Sequence, residues 1–140
     1  MTNEWNLDYD DARAAIDAIV TEIERRGKAG VVAVADSHGE LIALARMTGA
    51  SLQSVTIASN KAYTAVRARK PSYDVGAKVR HPEDGFDISY YGDPRICGWG
   101  GGVPVRRDGK IVGAVAVSGL PQEEDMEVVL LGVAAMLKSM

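Results

Sequence analysis

The segment from Gly98 to Asp125 constrains this chain more than any other. It opens with Gly98-Trp99-Gly100-Gly101-Gly102-Val103-Pro104-Val105, turns at Asp108-Gly109, continues as an apolar strand to Ser118-Gly119, and reaches Glu123-Glu124-Asp125 at the start of a helical pattern. A glycine loop, a hairpin turn, a buried strand and a helix start therefore follow one another. Glycines at that density let a backbone come close to something, because no Cβ intervenes. Two readings stand: a pocket wall around a small molecule, or a tight crossing of the chain over itself.

Elsewhere the pattern is regular. Tyr9 to Arg26 reads as a helix, with Asp8 at the N-cap, Asp11 in the first turn, Gly27 as its stop, and Ala12, Ala15, Ile16, Ile19, Val20 and Ile23 as its apolar face. Gly30–Ala35 and Leu41–Ala45 flank Asp36-Ser37-His38-Gly39 and read as a β-hairpin. Val55 to Arg69 is a second helix, stopped by Pro71, whose face of Val55, Ala58, Ala62 and Ala65 is thin enough to pack against a sheet or another subunit. Pro71–Arg80 reads as a short helix and His81–Ile96 as a long ordered loop, a kind that is commonly functional or interfacial. Val103–Arg107 and Lys110–Val117 form a second hairpin around Asp108-Gly109. Gln122 to Lys138 is the last helix, with Met126, Val129, Leu130, Val133, Ala134 and Leu137 on its core face. Strands apolar on both faces are covered on both sides, so an α+β sandwich follows: a mostly antiparallel sheet between helical layers, in one domain spanning 1–140.

Composition excludes several classes. A net charge of -3 with interspersed signs gives no reason to bind nucleic acid or anionic lipid. No apolar run is long enough for a transmembrane helix, Met1-Thr2-Asn3-Glu4-Trp5 has no leader character, and the single cysteine permits no internal disulfide. A cytoplasmic location is the expectation. The glycine loop lacks the Lys-Ser/Thr of a P-loop, and Val103 breaks the dinucleotide fingerprint.

The ordered motifs carry a resemblance. Val34-Ala35-Asp36 with Gly39, Arg46-Met47 with Gly49-Ala50, Lys61-Ala62-Tyr63-Thr64-Ala65, Gly101-Gly102-Val103-Pro104-Val105, Asp108-Gly109 with Ile111-Val112-Gly113-Ala114, and Val117-Ser118-Gly119 before Glu124-Asp125 together resemble the GlcG/HbpS-like, or haem-degrading, family. The resemblance implies a profilin-like fold with helices on both faces of the sheet, a homo-oligomer, and haem as the cofactor of some members.

Candidate site residues each have a bland counterpart. The amides of Gly100, Gly101 and Gly102 can hold a carboxylate, or the glycines serve a steric crossing. Arg46 and Lys61 can clamp a carboxylate, or they sit in a structural ion pair with Asp36 or Asp125. His81 can act as a base or an axial ligand, or it is a surface histidine; His38 reads as solvated. Trp99 and Tyr91, with Tyr90, can stack on a planar ligand, or they anchor loops. Asp125 either meets the dipole of the last helix or, as the pairing of Ser118-Gly119 with Glu124-Asp125 in the resembling family implies, belongs to the site. Cys97 reads as a small buried apolar residue more than a nucleophile, and no Cys/His spacing fits a structural zinc site. Three functions stay open: a binder of a small anionic or planar, haem-like ligand; a cofactor-free hydratase, isomerase or tautomerase using Lys61, Asp125 or His81; or a structural subunit.

Overall fold

The computed structural model describes residues 5–140, so the reading of the first four residues lies outside it. Among the described residues there are four helices and a four-stranded sheet: α1 (Tyr9–Arg25), β1 (Val31–Asp36), β2 (Leu41–Arg46), α2 (Gln53–Ala68), α3 (Ser72–Val79), β3 (Gly102–Arg107), β4 (Lys110–Ser118) and α4 (Gln122–Ser139), with a 3-10 turn at Ile88–Tyr91 inside the long loop. Every pairing is antiparallel and the strand order is β2-β1-β4-β3. The α+β expectation, with helices on both faces, holds.

The two central strands divide the core. Val32, Val34, Val115 and Val117 face α1 and α4, with Ala12, Ala15, Ile19, Ile23, Val128, Val129 and Met136 completing that layer. Val31, Ala33, Ala35, Ala114 and Ala116 face α2, which answers with Ala58, Ala62 and Ala65. The thin face of α2 thus packs on the sheet and not on another subunit. Small residues on both sides bring the helix axis close to β1 and β4, which matters for what α2 carries.

Local signals account for most boundaries. Asp8 caps α1 in a reciprocal capping box, accepting from the Asp11 amide at 2.8 Å while Asp11 accepts from the Asp8 amide at 2.9 Å. Helix α2 begins at Gln53, two residues ahead of expectation, where the Ser51 and Ser54 hydroxyls bond each other at 2.9 Å.

Helix α4 is the clear departure. Its buried face is Asp125, Val128, Val129, Gly132 and Met136, whereas Leu130 and Leu137, expected inside, are exposed. The helix is apolar nearly all round, so apolar spacing alone cannot mark its inner stripe. The true stripe includes a carboxylate and a glycine. A Cβ on Gly132 would lie 2.3 Å from Ile19 Cδ1, so the glycine sets how closely α1 and α4 approach.

The long loop is pinned to α2 through Tyr63. Its hydroxyl donates to Asp93, and the guanidinium groups of Arg67 and Arg95 lie over its ring, at 4.6 and 3.8 Å from its centroid.

Candidate functional site

Lys61 is the residue around which the other features arrange themselves. It lies mid-helix on the sheet side of α2, between Ala58 and Ala62. Close packing there leaves its stem no route to solvent, and it is among the largest fully buried side chains. Its ammonium donates to the Val117 carbonyl at 2.8 Å and to Asp125 Oδ2 at 3.1 Å. The two charged side chains are 2% and 4% exposed. The second oxygen of Asp125 accepts from the Leu120 amide at 3.1 Å, which fixes the carboxylate just inside the start of α4. Of the two bland partners for Lys61, Asp125 is the one the fold supplies.

The glycine loop crosses directly over this pair. A Cβ at Gly101 would sit 2.6 Å from the Val117 carbonyl and 2.8 Å from Lys61 Nζ, and one at Gly102 would sit 2.5 Å from the Lys61 carbonyl. Gly101 also has φ +123°, in the region that favours glycine. The Gly100 amide donates to Gln122 Oε1 at 2.8 Å and that of Gly102 to Ser72 Oγ at 3.0 Å. Those two amides are satisfied internally, so this geometry supports the steric crossing.

A cavity of about 260 Å³ opens over the pair, lined by Lys61, Asp125, Ser51, Gln53, Ser54, Ile57, Trp99, Ser118, Gly119, Leu120 and Gln122. It lies between the amino end of α2, where the Ser51 hydroxyl accepts from the Ser54 amide at 3.3 Å, and that of α4, which has no side-chain cap. Burial pulls the Lys61 ammonium below its ordinary pKa against the opposing pull of Asp125. Burial also raises Asp125 to about 6, against the attraction of Lys61. Desolvation outweighs pairing on both partners. Cys97 lies near enough to feel Lys61, and burial pushes its thiol up, which favours the unreactive reading.

A second groove, of about 410 Å³, adjoins the first and shares Trp99 and Gln122 with it; Tyr73, Arg80 and Gly98 complete its lining. Lys61, Asp125 and Trp99 therefore meet at one place, with Gly100 and Gly101 packed behind them. The remaining candidates lie elsewhere. His81 is on the exposed loop, its Nδ1 accepting from the Glu83 and Asp84 amides at 3.2 and 3.0 Å. Tyr91 packs on Phe86 with centroids 5.5 Å apart. Arg46 ends β2 opposite Val31 and lines neither the cavity nor the groove. Sequence reasoning missed Ser51, Ser54, Gln53 and Gln122. Their signal was faint: polar residues in the first turns of two helices whose amino ends converge only in the fold. Among the described residues, no cluster of three or more His, Cys, Asp or Glu side chains could hold a metal ion.

The profile of the family described as haem degrading protein, HbpS-like, matches residues 7–134. GlcG of Escherichia coli K12 is 35% identical over 107 residues, covering 76% of this chain and 77% of that protein. The corrinoid adenosyltransferase PduO of Salmonella typhimurium is 27% identical over 129 residues, which are 92% of this chain and 38% of the enzyme. The chain thus spans well under half of PduO. A crystal structure of a PduOC–haem complex superposes with TM-score 0.86 at 27% identity, covering 93% of this chain and 94% of that one.

Haem iron takes His, Cys, Met or Tyr as its axial ligand. None of these lines the Lys61 cavity, so the donor set there does not fit haem. The adjoining groove holds one such donor, the phenol of Tyr73.

Proposed function

The chain belongs to the HbpS-like haem degrading family, and from that premise we propose that it binds a small anionic ligand in the cavity over Lys61 and Asp125. One observation carries the reading: a buried lysine forms the base of a cavity bounded by the amino ends of two helices. Helix amino ends and an ammonium favour the same ligand charge. At about 260 Å³ the cavity falls just below the usual range for drug-sized ligands, roughly 300–1,000 Å³. An acid of a few carbons suits it, with hydroxyl or oxo groups meeting Ser51, Ser54 and Ser118. Asp125, titrating at about 6, is placed to move a proton on such a ligand. A cofactor-free isomerase, hydratase or tautomerase would use that same pair.

A second reading is haem, favoured by the juxtaposition in the outer groove of Tyr73, Arg80 and Trp99. There the phenol would ligate iron, the guanidinium would meet a propionate and the indole would stack on the ring; bound haem would supply its own redox chemistry. Self-association belongs to the proposal as well, supported by the exposed Leu130, Leu131, Leu137 and Met140 of α4. A cytoplasmic setting is proposed from the single cysteine.

Calorimetry with a panel of two- to four-carbon mono- and dicarboxylates, beside hemin titration read at the Soret band, tests these readings. Carboxylate binding lost in Lys61→Met, with any Soret response unchanged, supports the inner cavity. A Soret shift lost in Tyr73→Phe, with no carboxylate binding, supports haem in the groove. Silence in both assays leaves a structural subunit.

A further inference from the structure

We propose that Lys61 is a covalent site: its amine forms an imine with the carbonyl of a small 2-oxo acid held in the cavity, an inference that rests on the carboxylate reading above. The ammonium has three N–H groups. Two are committed, to the Val117 carbonyl and to Asp125. The third is uncommitted, on a nitrogen that borders an open cavity. The backbone of Gly101 packs against another flank of that nitrogen, where a Cβ would come within 2.8 Å of Nζ, so a ligand reaches it from the cavity side. A lysine serving only as half of a structural pair needs no cavity at its nitrogen.

Asp125, 3.1 Å away, is within proton-transfer distance. The step balances with no outside reagent. Asp125 takes a proton from the Lys61 ammonium. The freed nitrogen lone pair adds to the carbonyl carbon, forming the C–N bond, while the C=O π pair moves to oxygen and takes the proton held by Asp125. Asp125 then removes a second proton from nitrogen and delivers it to the hydroxyl, which leaves as water. The product is a protonated imine. Lys61 loses two protons and the ligand loses its carbonyl oxygen, together one water; nothing is oxidised or reduced. The nitrogen keeps its positive charge beside Asp125, so no buried charge is left alone at the end of the step. Burial also favours the neutral amine needed for attack, the usual way a lysine is prepared for this chemistry.

The probe is pyruvate, with sodium cyanoborohydride to reduce any imine, followed by peptide mass mapping of the full chain. The expected result is a reduced adduct on Lys61 and not on Lys28, Lys70, Lys78, Lys110 or Lys138. The adduct disappears in Lys61→Arg, which keeps the cation, and its yield drops at least tenfold in Asp125→Asn. Lactate, with a hydroxyl in place of the carbonyl, competes with pyruvate and leaves no adduct. If lactate and pyruvate both bind by calorimetry yet no Lys61 adduct forms, the covalent step is overturned and the carboxylate site stands. If neither binds, the site itself is overturned, and the covalent step with it. Adducts confined to the exposed lysines also overturn it. The wild-type map is decisive even where Lys61→Arg fails to fold.

Discussion

Replacing Lys61 by Met leaves Asp125 buried without its cation, and the size of the penalty follows from pH. Asp125 titrates at about 6 in the folded protein against 3.8 in its reference state. Folding therefore strengthens its hold on the proton. The stability this group contributes is full below 3.8 and is lost as pH rises to about 6, by about 3 kcal/mol in all at about 1.4 kcal/mol per unit. Above pH 6 the wild-type loss is complete. In Lys61→Met the charge and the hydrogen bond that hold the Asp125 value down are both gone, so its midpoint moves above 6. Between pH 6 and that new midpoint the variant keeps losing about 1.4 kcal/mol per unit relative to wild type. The absolute penalty at pH 7 is on the order of 3–5 kcal/mol, as for other buried pairs broken at one end. Urea unfolding at pH 5, 6, 7 and 8 measures all of this. Asp125→Asn should flatten the wild-type slope between pH 4 and 6. The double variant should cost less than the sum of the singles, because each single strands a partner. A Lys61→Met penalty that stays constant from pH 5 to 8, or an Asp125→Asn variant that keeps the wild-type slope, would refute the reasoning.

Three further outcomes are expected. Gly101→Ala should destabilise by about 1–3 kcal/mol in thermal or urea melts, because its Cβ collides with the Val117 carbonyl at a strained φ; an unchanged melting point would remove the glycine loop from the packing argument. Gly132→Ala should destabilise despite its better helix propensity, and Ile19→Val should recover part of the loss by deleting the methyl group 2.3 Å from the new Cβ. Sedimentation should give a species above the 14.9 kDa of one chain, and Leu130→Glu with Leu137→Glu should shift it toward monomer.

The parts of the fold that were legible in the sequence are those where one residue decides locally. Asp8 with Asp11 marks a helix start, Gly27 a stop, and Asp108-Gly109 a hairpin, each through its own backbone chemistry. Both central strands announced burial on two sides by being apolar throughout. The α4 face was not legible, because Asp125 and Gly132 belong to the buried stripe for reasons held by Lys61 and Ile19, far away in sequence. The site was half legible for the same cause. A lysine among alanines signals that something must compensate it, and Lys61 was flagged on that ground. What compensates it, and the serines and glutamines around it, depend on two helix ends meeting across the sheet. Nothing within either helix records that meeting.

Strands β1 and β4 lie side by side, with Val31 opposite Ser118. Each hairpin closes a short loop, whereas joining them requires a long closure, so the join should come last in folding. Lys61 is carried between the hairpins and Asp125 after the second, so their encounter waits for that last closure. Neither half of the chain holds a partial site. Occupancy of the cavity should therefore act as a reporter of complete folding, and ligand should slow global unfolding without protecting either hairpin alone.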